Sequence, residues 1–162
     1  MKIIPLSEGS FTIDKSKQFI PFDTRKDDLQ QRTVGSLLVE IQPFCIITSK
    51  DIIVIDAGLG FTNPDGTLQI HQNLLDNGIN PMDVNKVLLS HLHKDHSGGI
   101  SIKDGILNQH FFSFPNAHYY VNKDELNYAS AEGKSSYIPE DFEILHGLTF
   151  PAKQTWIIHR RY

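Results

Sequence analysis

Short apolar runs broken by turn residues fill the first third of the chain. Ile52-Ile53-Val54-Ile55 follows Lys50-Asp51 directly, and Gly35 to Glu40 and Phe44 to Thr48 flank Gln42-Pro43. Ile- and Val-rich runs bounded by Gly, Pro or Asp read as buried strands. Gly9 to Asp14 alternates weakly and reads as another strand, whereas Lys15 to Thr33 is polar and irregular and reads as a long loop. Apolar residues then take helical spacing at 68, 70, 74 and 75, with Gly78 as the stop. Asn80-Pro81 starts a short turn. Lys86 to Ser90 and His118 to Val121 read as strands. Asn122 caps a helix over Lys123 to Ala131, and Pro139 opens a last helix to about His146. Strands come first and alternate with helices afterwards, so the predicted class is α/β or α+β.

One stretch breaks the apolar pattern. Val87-Leu88-Leu89 runs straight into Ser90-His91-Leu92-His93-Lys94-Asp95-His96-Ser97-Gly98-Gly99. His91 and His93 are two apart, so in extended backbone they project to the same side. Two imidazoles at a strand end are a pair of metal donors. Asp95 and His96 follow at once and can serve a second, nearby metal. Nitrogen and oxygen donors of this kind suit Zn²⁺, with Fe, Mn or Co as alternatives. Ser97-Gly98-Gly99 lets the backbone turn sharply with no Cβ in the way.

Composition narrows the options. The chain has 162 residues, enough for one domain with a real core. A net charge of −4 and the absence of a Lys/Arg run argue against a nucleic-acid surface. The C-terminal His159-Arg160-Arg161 reads as a solvated tail. The lone Cys45 can form no internal disulfide and lies in an apolar run, as a small core residue. No apolar run approaches the roughly 20 residues needed to span a bilayer, and Met1 to Pro5 lacks the apolar segment of a signal peptide. The expected location is the cytoplasm.

His91-Leu92-His93-Lys94-Asp95-His96 resembles the H-x-H-x-D-H signature of the metallo-β-lactamase superfamily. "IVIDAGLG" (Ile53 to Gly60) is similar to that family's strand ending in an aspartate and a glycine. The blocks "INPMDVNKVLLSHLHKDHSGG" and "FFSFPNAHYYVNKDELNYA" resemble the branch that holds lactone, ester and organophosphate hydrolases. The resemblance implies an αββα sandwich, here truncated to about its first half, as a single domain over 1–162 that is incomplete at the C-terminus. It implies that His91 and His93 hold one metal and that Asp95 and His96 hold the other. Asp95 would also orient an attacking hydroxide generated by the metals. Asp56 would support a ligand histidine from behind. The substrate would be a small molecule with an ester, lactone or similar bond.

The chain departs from that pattern in its second half. The family's further histidines and its bridging aspartate have no matching stretch after His96. Of His110, His118, His146 and His159, only His159, after Thr155-Trp156-Ile157-Ile158, is a candidate replacement ligand. A half-length fold leaves an apolar sheet face to cover, which implies a homodimer or a missing C-terminal half. Two other readings stand beside the hydrolase: a metal-binding or interaction module with no turnover, and a di-iron oxidoreductase. Phe19, Phe22 and Phe61 are expected either to line a pocket or to join the core.

Overall fold

The computed structural model describes residues 1–146 and 155–158. Its central element is a six-stranded mixed sheet in the order β1-β5-β6-β7-β10-β11. These strands are β1 (Lys2–Pro5), β5 (Phe44–Ile47), β6 (Ile52–Ile55), β7 (Lys86–Leu88), β10 (His118–Asn122) and β11 (Thr155–Ile158). β1, β5 and β6 pair antiparallel, whereas β6, β7, β10 and β11 run parallel. Strand alternation sorts the side chains. Ile4, Cys45, Val54, Val87 and Tyr119 lie in one register row, and all are buried. Cys45 is thus the core residue its neighbours predict.

That buried face is covered by helices. α1 (Gln69–Asp76) contributes Ile70 and Leu74, α3 (Lys123–Glu132) Leu126 and Ala129, and α4 (Pro139–Leu145) Ile144 and Leu145. The local signals act as expected. Gly78 follows α1 at φ 74°, and the Asn122 side chain accepts from Asp124 and Glu125 N–H groups. The opposite sheet face is incompletely covered: Ile3 is 56% exposed, and Phe44 and Leu88 are each 37% exposed.

A second, three-stranded antiparallel sheet has the order β3-β2-β4, from β2 (Gly9–Ile13), β3 (Phe19–Pro21) and β4 (Leu37–Ile41). It closes a small cluster of Phe11, Ile41 and Leu59 with Phe19 and Val39. The expected long loop over 15–33 is therefore wrong in part. β3 lies inside it, pairing with β2, and a single 3-10 turn over Leu29–Gln31 is capped by Asp28. A hairpin of β8 (Ser101–Asp104) and β9 (Gln109–Phe112) also has no counterpart in the sequence reading. Phe22 joins the core at 9% exposed, whereas Phe61 stays 41% exposed.

The parallel strands β6 and β7 end side by side, and ligands in α/β sheets bind at such carboxyl ends. β7 stops at Leu88, two residues short of the expected Ser90. The reason is local: the Ser90 N–H donates to the Asp56 carboxylate rather than to a neighbouring strand. A single helical turn, α2 (Lys94–Ser97), follows.

Candidate metal centre

Asp56 begins the site. It follows β6 directly and turns the chain through a left-handed φ of 57°, which Asp tolerates better than most residues. Its own N–H stays in the ladder, donating to Leu88 O at 2.9 Å. The loop after it packs backbone against backbone on the turn after His96. Ala57 N–H donates to His96 O at 2.6 Å. A Cβ on Gly98 would sit 2.4 Å from Leu59 O, and one on Gly99 2.1 Å from Ala57 O. The Gly-Gly pair is therefore required by close approach, as its place after the histidines predicts.

The Asp56 carboxylate accepts three hydrogen bonds, from Ser90 N (2.8 Å), Ser90 Oγ (2.8 Å) and His96 Nδ1 (2.8 Å). With Nδ1 so held, His96 presents Nε2, which lies 3.4 Å from Asp95 Oδ2. Ser90 Oγ also lies 3.1 Å from His91 Nδ1. Its single hydrogen goes to Asp56, so His91 Nδ1 carries the hydrogen of that contact and His91 Nε2 keeps its lone pair. The ring of His91 is centred 4.6 Å from that of His93 and 4.0 Å from that of His96. The two histidines separated by Leu92 do project to the same side.

The charges are strongly coupled. Burial pulls the His96 imidazole down, but its hydrogen bonds and attraction to Asp56 and Asp95 outweigh this and hold it at about 9. Burial works against the Asp95 carboxylate, yet His96 keeps it below the usual carboxylate range. Burial, then the neighbouring His96 and His93, lowers His91. At neutral pH the cluster thus holds a proton on His96 that a ligating imidazole must give up.

Two hollows meet at Asp95. One, of about 140 Å³, has His93, Lys94, Phe19 and Val39 in its wall. The other, of about 240 Å³, is lined by Asp56, His96, Ile41 and Pro43. Lys94 reaches across the first: its Nζ donates to Lys17 O and lies 5.8 Å from the centre of the Phe19 ring. Phe19 and Phe61 both wall a further hollow beside it.

The sequence profile of the metallo-β-lactamase superfamily matches residues 38–156, which span this whole cluster. The chain belongs to the metallo-β-lactamase superfamily. Solved structures agree at the level of the fold. A probable metal-dependent hydrolase from Staphylococcus aureus aligns over 99% of this chain and 60% of its own, with a TM-score of 0.68 and 20% identity. The hydrolase AbOPH of the β-lactamase superfamily aligns over 97% and 57%, with a TM-score of 0.65 and 22% identity. AidC, a dizinc quorum-quenching lactonase, aligns over 96% and 57%, with a TM-score of 0.65 and 19% identity. The chain therefore spans about three fifths of these neighbours' length. No curated protein matches it.

As a metallo-β-lactamase relative, the chain can be tested for metal donors. In kind the donors fit: imidazole nitrogens and a carboxylate suit zinc, and the Asp56–His96 bond leaves the outer nitrogen of His96 available. In number they fall short. Among the described residues, no three His, Cys, Asp or Glu side chains are grouped so as to hold a metal ion. Of the candidate donors, the His91 ring lies beside those of His93 and His96, Asp95 Oδ2 lies 3.4 Å from His96 Nε2, and Asp56 holds His96 from the other side. His159 lies outside the described residues. His118 is exposed on β10, and His146 ends α4, where its Nε2 lies 2.8 Å from Ser130 Oγ.

Three participants escaped the sequence reading. Ser90 stood at the head of the histidine-rich stretch but carried no spacing signal. Glu125 Oε1 accepts from Leu92 N at 2.9 Å and from Tyr137 Oη at 3.3 Å. The Tyr137 ring stands edge-on to His93 at 4.9 Å. Both come from the distant 125–137 region, with no local motif to mark them. No helix among the described residues is long and apolar enough to cross a membrane.

Proposed function

We propose that this chain carries the donor half of a metal-dependent hydrolase centre that cleaves an ester, lactone or similar bond in a small molecule. The observation that carries the reading is the Asp56 carboxylate bonded to His96 Nδ1, which fixes the ring with Nε2 toward Asp95. That is how metal-binding histidines are oriented. His91 and His93 would hold one ion, and Asp95 and His96 a second. Zinc is the leading metal, with iron or manganese as alternatives. A bound metal supplies Lewis acidity and activates water at neutral pH. Asp95 would orient the attacking water, and the two hollows beside it would receive the substrate.

The remaining donors would come from outside the described residues, from a second copy of the chain or from a C-terminal half. The exposed Ile3, Phe44 and Leu88 offer that partner an apolar sheet face. A cytoplasmic setting belongs to the same reading, since the lone, buried Cys45 needs no oxidising compartment.

A second reading is a non-catalytic metal-binding module, favoured by the absence of a three-donor group among the described residues. Metal content per chain, measured with the molar mass in solution, separates the two. Close to two metals per chain in a dimer supports the hydrolase and its partner. Metal near zero in every oligomeric state ends the hydrolase reading for this chain.

A further inference from the structure

Asp141 is a carboxylate with only 2% exposure, set in the first turn of α4. It touches none of the four donor side chains. Instead its Oδ2 lies 2.9 Å from Ser97 Oγ and its Oδ1 3.1 Å from Ser101 Oγ. Ser97 is itself fully buried and closes α2, the turn that carries Asp95 and His96. Its hydroxyl also lies 3.3 Å from Leu92 O, and Ser101 Oγ lies 3.2 Å from His110 Nδ1. Leu92 sits between His91 and His93. Its side chain is 2% exposed, and its N–H is held by Glu125.

We infer that Asp141, acting through Ser97, is a positioning residue that bolts the turn bearing Asp95 and His96 to the segment bearing His91 and His93. The inference rests on reading those four side chains as metal donors. Each serine hydroxyl has one hydrogen and two acceptors in reach. A charged Asp141 takes both hydrogens. A protonated Asp141 donates to one serine and releases that hydroxyl's hydrogen to its other acceptor. In either state the carboxyl ties α4 to α2; the Ser97 hydroxyl reaches the Leu92 carbonyl only when Asp141 donates to it, whereas the Ser97 N–H holds His93 O at 2.9 Å in both. Burial pushes the Asp141 carboxyl up to about 7 in spite of the two hydroxyls. Removing one half of such a buried pair frees the turn without touching a donor.

The test uses the full chain and compares Ser97→Ala, Asp141→Ala and Asp141→Asn with Ile144→Ala. Ile144 is a buried, apolar α4 residue with no polar atom in its side chain, and its loss reports simple loosening of the helix. Amide exchange is read in metal-free protein at His96 and Ser97, whose N–H groups donate to His93 O. Ser97→Ala and Asp141→Ala should raise exchange there about tenfold beyond the rise at Val54 and Val87, and weaken Co²⁺ binding by about tenfold. Asp141→Asn keeps an acceptor and gains a donor, and should restore most of both. Ile144→Ala should raise exchange evenly and leave Co²⁺ affinity unchanged. Equal, uniform rises in Ser97→Ala, Asp141→Ala and Ile144→Ala would overturn the inference. A wild-type chain that takes up no Co²⁺ would defeat the proposed function alone, and the exchange comparison would still decide the positioning role.

Discussion

The Asp56 carboxylate lies 2.8 Å from His96 Nδ1 across 40 residues of sequence, and the same carboxylate takes both the N–H and the hydroxyl of Ser90. One side chain at the end of β6 thus sets the ring orientation of a donor histidine and the point where β7 leaves its ladder. Asp56→Asn can offer one oxygen acceptor in place of two. We expect metal affinity to fall by about 10- to 100-fold, measured by competition with a chelating dye. Wild-type affinity in Asp56→Asn would show that the carboxylate does not orient the ligand.

Asp95→Asn should separate binding from turnover. The His91–His93 pair is untouched, whereas the second pair loses its anionic oxygen. Metal per chain should drop by about half, and hydrolysis of a chromogenic ester or lactone should fall by at least about 100-fold. The check is elemental analysis and initial rates on the same sample. Full activity in this variant would remove Asp95 from the reaction.

Two glycines make a matched pair for stability. An alanine Cβ at Gly99 would meet Ala57 O at 2.1 Å, so the interlocked loops must part. Gly105 has open space around its missing Cβ. Gly99→Ala should cost about 2 kcal/mol or more, whereas Gly105→Ala should be neutral within about 0.5 kcal/mol. Urea unfolding midpoints measure both. A harmless Gly99→Ala would mean the 57–60 loop can move away freely.

Stability of the metal-free protein should fall as pH rises. Burial pushes Glu8 up to about 7 from 4.5 against the pull of the Leu59 N–H, and Asp141 up to about 7 from 3.8. Between those values and 7 the folded chain holds protons that the unfolded chain has lost, so each unit of pH there favours unfolding. His96 extends the trend. Its charged form stabilises the fold fully below 6.5, and that share disappears as pH rises through about 9. Denaturation midpoints at about pH 5, 7 and 9 should decline in order. Glu8→Gln should flatten the first step and leave the second. His71 and His91, which burial holds below 6.5, oppose this first step, so the decisive result is the Glu8 variant: an unchanged pH dependence in Glu8→Gln would show that Glu8 is ionised in the fold.

What could be read from the sequence was whatever local chemistry decides. β6 announces itself by four consecutive apolar β-branched residues, α1 by Gly78, and α3 by Asn122 with acids behind it. The four donors stand within six positions, so their clustering needed no tertiary knowledge. β3 is three residues long, and its partner Gly9–Ile13 makes it a strand, not its own pattern. The β8–β9 hairpin was hidden because Ile102, Ile106 and Leu107 remain exposed and give no alternation. Glu125, Tyr137 and Asp141 reach the site only through folding of the chain, and nothing beside them in sequence points there.

The site's construction also dictates when it can exist. His91, His93, Asp95 and His96 are neighbours in any conformation, so an unfolded chain can already capture metal loosely. The Asp56–His96 contact and the β6–β7–β10 ladder close only over long loops, and such contacts form late and slowly. Early metal capture would therefore leave the folding rate nearly unchanged and slow unfolding instead.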